Sequence, residues 1–296
     1  MIIRLCNKYG TFEIGGGGHE NARLLEISGL GLVQKETSLL SLASSAGNVI
    51  TNIRDTSRTI TLKFDYFAEP KDTEKLLKIL NHEADILIMR RGYKRRIKGI
   101  ITSGAEPENI IYHLWQNITL QFYCENPYFT DERDITLDIF GTDDMLPNVN
   151  ENNAWYVSLP EVATKIRRDT DVFNTGDTRI FPVVNVWRTQ NGAESDITTS
   201  DTAETSFLKV ENTTTGKSAV INYEISLGEK ITFDFDTRKI TSTKNGDITT
   251  YISDDTVLSE MYLEEGKNNI KVTSSVTESV ISAKITYRNN YASAVI

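Results

Sequence analysis

Along most of the chain apolar and polar residues alternate one by one, which places every second side chain on one face of a strand. In residues 59–66 the apolar positions are Ile60, Leu62, Phe64 and Tyr66. Residues 117–124 repeat the pattern at Ile118, Leu120, Phe122 and Cys124. Further on, Ala219, Ile221, Tyr223 and Ile225 form one series, Ile231, Phe233 and Phe235 another, and Ile281, Ala283, Ile285 and Tyr287 a third. These segments predict half-buried antiparallel strands with polar outer faces. One segment departs from the pattern. Leu76, Leu77 and Leu80 share a face at helical spacing, behind Pro70, Asp72 and Thr73 and with Lys75 and Lys78 further on. That is helix chemistry, and it predicts a helix over residues 71–82. A hairpin follows, residues 85–90 against 95–101, turning at Gly92-Tyr93. The chain therefore reads as mostly β, with an α+β first half and an all-β second half.

Three stretches lack periodicity. Residues 34–58 are rich in Ser, Thr, Ala and Asn and read as a long loop between strands, a length that is functional more often than filler. Residues 131–153 carry Asp131, Glu132, Asp134, Asp138, Asp143 and Asp144 against Arg133, and read as a connection between domains. Residues 189–205 form a polar insertion. A length of 296 residues accommodates two domains, placed at 1–133 and 134–296. Charge separates the two: residues 1–133 carry 17 Lys/Arg and 16 Asp/Glu, a net of +1, whereas residues 134–296 carry 15 and 25, a net of −10, which together give the −9 of the chain. Met1 to Asn7 holds no apolar core of a secretion signal, and no apolar run reaches the length of a membrane-spanning helix. Two distant cysteines, Cys6 and Cys124, exclude a disulfide framework or a zinc ribbon and fit folding in a reducing cytoplasm.

Candidate chemistry is sparse. The glycines at 15–18 lack the Gly-Lys-Ser/Thr of a phosphate loop and precede a strand-like run, so they read as a loop between strands. His19, His82 and His113 show none of the short spacings of a zinc site, and no GxSxG elbow supplies a nucleophile. The acids of 131–144 lack the DxDxDG spacing of a calcium loop. Neither a catalytic site nor a metal or cofactor site is expected, and the chain reads as a structural or binding protein. The sharpest local feature is cationic: Arg90, Arg91, Lys94, Arg95, Arg96 and Lys98, with Tyr93 among them. An acidic chain with no continuation of this patch argues against nucleic acid and for a solvated hairpin or a basic surface that meets acids of an adjacent subunit.

The order of elements resembles a known family. The series from residues 60–64 through the helix and the 85–101 hairpin to Trp115–Phe122 ends on Cys124-Glu125-Asn126-Pro127-Tyr128-Phe129. It resembles the N-terminal domain of the distal tail protein (Dit) of long-tailed bacteriophages of Gram-positive hosts. The second half, with residues 228–234 before residues 263–272, is similar to that family's galectin-like β-sandwich, the stretches 142–180 and 189–205 standing out as insertions. The resemblance implies a split-barrel or β-sheet ring (belt) domain with one helix, followed by the sandwich. It implies a homohexameric, non-enzymatic baseplate hub at the virion tail tip, assembled in the bacterial host cytoplasm. Such a hub joins the tail tube protein to a tail-associated hub or lysin protein and to receptor-binding or baseplate proteins, with DNA only as passing cargo and no membrane insertion. In that setting the 34–58 loop is expected to order against a neighbour or the tube. The alternative is a carbohydrate-binding module for host cell-wall polysaccharide, with Trp155, Trp187 or Tyr223 stacking on sugar.

Overall fold

A computed structural model of the chain describes residues 1–15, 21–41, 47–104, 106, 110–139, 141–143, 165–167, 169–188, 207–275 and 281–294. The fold is mostly β, with one α-helix among the described residues. It divides into two compact units, Met1–Arg133 with Asn290–Ile296, and Asp134–Asn289. The boundary expected at 133/134 holds except at the end of the chain, where Asn290–Ile296 group with the first unit and not the second.

Unit 1 contains β1 (Ile2–Asn7), β2 (Gly10–Ile14), β3 (Ala22–Ser28), β4 (Lys35–Ser41), β5 (Asn48–Asp55) and β6 (Arg58–Phe67). Then come α1 (Pro70–Leu80), β7 (Ala84–Arg90), β8 (Tyr93–Ser103), β9 (Trp115–Cys124) and β10 (Phe129–Thr130). The main sheet runs β2-β1-β7-β8-β9-β6-β3. Its longest pairing is β6 with β9, from Arg58↔Cys124 to Phe67↔Trp115. The alternation in β6 is strict because one face is wholly inside: Ile60, Leu62, Phe64 and Tyr66 are buried while Thr59 and Lys63 are not. Helix α1 covers that interior. Pro70 starts it with a φ already helical, Asp72 and Lys78 complement its dipole, and Leu76, Ile79 and Leu80 are buried beneath it. Each such aliphatic side chain contributes about 1.5–3 kcal/mol of burial. The helix ends at Leu80 with Asn81 as its cap, two residues earlier than expected, and the β7–β8 hairpin turns at Arg91-Gly92 rather than Gly92-Tyr93. Both turn residues have positive φ, +42° and +88°, as a two-residue hairpin loop with the twist of its strands requires.

The stretch expected as a loop, 34–58, is instead a two-stranded antiparallel arm, β4 with β5, paired from Lys35↔Asp55 to Ser41↔Asn48. Every residue of both strands is exposed. The pattern lacks periodicity because the arm has no inner face to mark it. The two strands supply each other's backbone hydrogen bonds.

Unit 2 contains β11 (Ile135–Asp138), β12 (Gly141–Asp143), β13 (Lys165–Arg167), β14 (Asp169–Asn174), β15 (Val183–Arg188) and β16 (Leu208–Asn212). It continues with β17 (Lys217–Ile221), β18 (Lys230–Asp234), β19 (Lys239–Ser242), β20 (Gly246–Asp247), β21 (Gly266–Ser274) and β22 (Ile281–Tyr287). One sheet runs β11-β22-β15-β18-β19-β20 and another β14-β21-β16-β17, both antiparallel throughout. Val184, Val186, Ile231, Phe233 and Ile285 of the first sheet and Val172, Val210, Ile221, Ile270 and Val272 of the second belong to one core, which makes a β-sandwich. Two expectations change here. Part of the supposed linker, Ile135–Asp138, is a sheet strand, and the supposed 142–180 insertion holds β14, the edge strand of the smaller sheet. The strand around Ala219 ends at Ile221, although Ile225 is still buried. The 189–205 stretch, the glycines at 16–18, His19 and Trp155 lie outside the described residues. After unit 2 the chain makes β23 (Asn290–Tyr291), which pairs with β10. No helix among the described residues is long and apolar enough to cross a membrane.

Candidate assembly interface

The six cations of the β7–β8 hairpin fall into two sets. Strand β8 alternates, and its cations find carboxylates that lie elsewhere in the same unit. Lys94 pairs with Glu132 at 2.8 Å, Arg95 with Asp131 at 3.3 Å, Arg96 with Asp85 at 2.6 Å and Lys98 with Glu83 at 3.7 Å. Arg95 also lies 3.5 Å over the Tyr291 ring, whose hydroxyl reaches Asp131. The hydrogen bond from Lys94 holds Glu132 below the usual carboxylate range. The remaining two, Arg90 and Arg91, stand exposed at the turn with no ion pair among the described residues. They border a cleft of about 680 Å³ with Met1, Ile2, Met89 and Tyr93. Sequence reasoning thus found the cationic hairpin but not which cations were already neutralised. Of the acids read as a charged connection, Asp131 and Glu132 neutralise Arg95 and Lys94, while Asp134 pairs with Arg288 and Asp138 with Lys284.

A second feature of unit 1 is its exposed apolar surface. Among the described residues the exposed large hydrophobic side chains of unit 2 are Phe173, Leu227, Tyr251 and Val257; all the others belong to unit 1. They include Leu39, Leu40, Val49, Ile50 and Ile53 on the β4–β5 arm, and Ile111, Tyr112, Leu114 and Trp115 leading into β9. On the arm, Leu39 faces Ile50 and Leu40 faces Val49, so consecutive pairs put apolar side chains on both of its faces toward the tip. At its base Lys35 pairs with Asp55 and Glu36 with Arg54.

Arg58, which sequence reasoning passed over, is a buried guanidinium with no carboxylate partner among the described ion pairs. It donates to the carbonyls of Pro127 (2.8 Å), Gly29 (2.6 Å), Gly31 (2.7 Å) and Ala292 (2.6 Å), and lies 4.5 Å over the Phe129 ring. Burial lowers its pKa, yet a guanidinium stays charged. Burial also pushes the neighbouring Cys124 thiol up to about 11, which keeps it an unreactive thiol.

In unit 2 the residues expected to stack on sugar are apart in role. Trp187 lies partly exposed on the outward face of β15, with the Lys284 ammonium 6.0 Å over its ring. Tyr223 is committed to structure. Its hydroxyl donates to Glu229 at 2.5 Å and accepts from Asn245 at 2.6 Å, and its ring meets Tyr251 edge-on. Glu229 is buried; that burial raises its pKa, but hydrogen bonds from Ser242, Tyr223 and Ser226 outweigh it and hold the carboxyl below its ordinary value. His82 stacks on Tyr9 with centroids 4.3 Å apart, and the His113 N–H bonds the Ala68 carbonyl. No group of metal-ligating side chains occurs among the described residues.

Comparison with known proteins follows the same outline. Residues 189–291 match the family model described as siphovirus-type tail component, C-terminal domain, of the SPP1 Dit type. No curated protein matches the chain. Among solved structures, the Dit protein of phage SPP1, described as a paradigm of the hub adsorption apparatus in phages infecting Gram-positive bacteria, superposes with a TM-score of 0.58 at 15% identity. That match covers 92% of this chain and 94% of that one. A chain of the phage P2 baseplate in its activated, calcium-bound conformation superposes with a TM-score of 0.52 at 10% identity, covering 97% of each. The family match is confined to residues 189–291, whereas the fold shared with these two structures extends over nearly the whole chain.

Proposed function

We propose that the chain is a structural, non-enzymatic hub at the distal end of a phage tail, working as a homohexamer. In this reading unit 1 is the ring, or belt, domain around a channel for DNA. Unit 2 is a galectin-like sandwich that carries outer baseplate or receptor-binding proteins. The ring joins the tail tube protein to a tail-associated hub or lysin protein, and assembly takes place in the host cytoplasm. The observation that carries the reading is the apolar surface concentrated on unit 1, above all the two-sided apolar arm. Exposed aliphatic side chains clustered in this way mark protein contacts. A closed ring needs two different patches of one subunit to meet, and the arm and the 111–115 patch supply two. Negative-stain images of the purified protein should show six-fold rings, and Leu39→Asp with Ile50→Asp should reduce them to monomers. A compact wild-type monomer at all concentrations would sink the proposal.

The second reading, sugar binding by unit 2, is favoured by Trp187 alone, a flat ring on an outward sheet face bordered by Lys284. Titration with host cell-wall polysaccharide should quench tryptophan fluorescence in the wild type and not in Trp187→Ala; no response in the wild type excludes it.

A further inference from the structure

Residues 292–294 grip the root of the β4–β5 arm. The chain enters the arm through residues 29–34 and leaves it through residues 56–58, and Thr56 ties the two sides together by bonding Gln34 through its N–H (2.9 Å) and its hydroxyl (3.1 Å). On the entry side, the Leu30 carbonyl accepts both the Ala294 N–H and the Ser293 hydroxyl, each at 3.0 Å. Arg58, on the exit side, holds the entry carbonyls of Gly29 and Gly31 and the Ala292 carbonyl at once. Gly29 has φ +85°, and a Cβ there would stand 2.1 Å from the Thr59 carbonyl oxygen, so entry and exit are pressed together where only glycine fits. A buried charge held solely by carbonyls and a ring is tolerated only while those acceptors remain in place. Taking Ala292 away strands a guanidinium N–H beside the arm root.

We propose that the segment 290–294 is a latch that sets the arm. This segment follows unit 2 directly in the chain but belongs to unit 1, so the arm root is closed by the stretch to which the chain returns after unit 2. The consequence for assembly rests on the ring reading above; the latch itself does not.

Hydrogen exchange on the full-length protein tests it. Arg58→Lys loses the fork that spans three segments, Ala294→Pro removes a single N–H, and Ser293→Ala removes one hydroxyl. Exchange at the Thr56 amide and in residues 28–34 should rise about tenfold in each of the first two, the scale of one or two lost hydrogen bonds, and less in the third. Exchange in the unit 2 strands Val183–Arg188 and Lys230–Asp234 should stay as in the wild type, and the oligomeric fraction by native mass spectrometry should fall. Unchanged protection at the arm root in Ala294→Pro overturns the latch even if Arg58→Lys fails to fold. A freed arm root with undiminished oligomers overturns its part in assembly. A wild type that is monomeric throughout refutes the ring reading and leaves the exchange result to decide the latch.

Discussion

Asn268 lies in the Gly-Lys-Asn-Asn-Ile turn into β21, and its side chain uses four hydrogen bonds in a buried site. Its Nδ2 donates to the carbonyls of Glu264 (2.7 Å) and Gly266 (3.2 Å), while its Oδ1 accepts from the Glu264 N–H (3.0 Å) and from Asn212 (3.1 Å). The motif is legible in the sequence; that its first asparagine ties a turn to a neighbouring strand is not, because Asn212 is remote along the chain. Asn268→Ala leaves several buried partners unmet and should cost about 2–4 kcal/mol in urea unfolding of the full chain, whereas Asn269→Ala, on the more exposed side, should cost about 1 kcal/mol or less. Glu229 makes a pH-dependent counterpart. Its carboxyl is depressed in the fold, so it contributes stability that is full above the ordinary glutamate pKa of about 4.3 and is lost as pH falls through the lower folded value. Glu229→Gln should therefore destabilise unit 2 by about 1–3 kcal/mol at pH 7, and the difference from wild type should narrow below pH of about 4. An equal difference at both pH values would mean the charge is irrelevant to the site.

At the scale of elements, legibility followed burial. Strands β6, β9 and β22 were readable because each has one wet and one dry face, and α1 because its apolar residues fall on one side. The β4–β5 arm was unreadable because both faces are wet, and β23 because two residues carry no period. The cationic hairpin shows both cases at once. Its charge run is plain in the sequence, but neutralisation by Asp131 and Glu132 depends on β10 returning beside β8, where Thr130 registers with Arg96. Charge reversal should separate the two sets. Arg95→Glu with Arg96→Glu breaks two partly buried pairs and sets like charges against Asp131 and Asp85, so the thermal midpoint should fall by several degrees, consistent with a loss of about 2 kcal/mol or more. Arg90→Glu with Arg91→Glu changes exposed turn residues and should leave the midpoint nearly unmoved. Any loss of oligomer in that second variant is then an effect on contact, not on folding.

For the whole molecule the charge distribution and the apolar surface pull assembly in opposite directions. Residues 1–133 are nearly neutral, with 17 Lys/Arg and 16 Asp/Glu, so copies of this part of the chain meet without long-range repulsion. Residues 134–296, with 15 against 25, carry the excess acid, and in the proposed ring this part would concentrate like charge. Added salt screens that repulsion, with a Debye length falling from about 10 Å at 0.1 M to about 3 Å at 1 M, while leaving apolar contact intact or strengthened. If the apolar patches of unit 1 dominate, the oligomeric fraction at fixed protein concentration should hold or rise between 0.05 and 1 M sodium chloride (values of order set by the screening length). If instead Arg90 and Arg91 dominate through carboxylates of a neighbour, the same titration should dissolve the oligomer. The two outcomes differ in sign, so sedimentation velocity across the salt series decides whether the arm or the cationic turn is the principal contact.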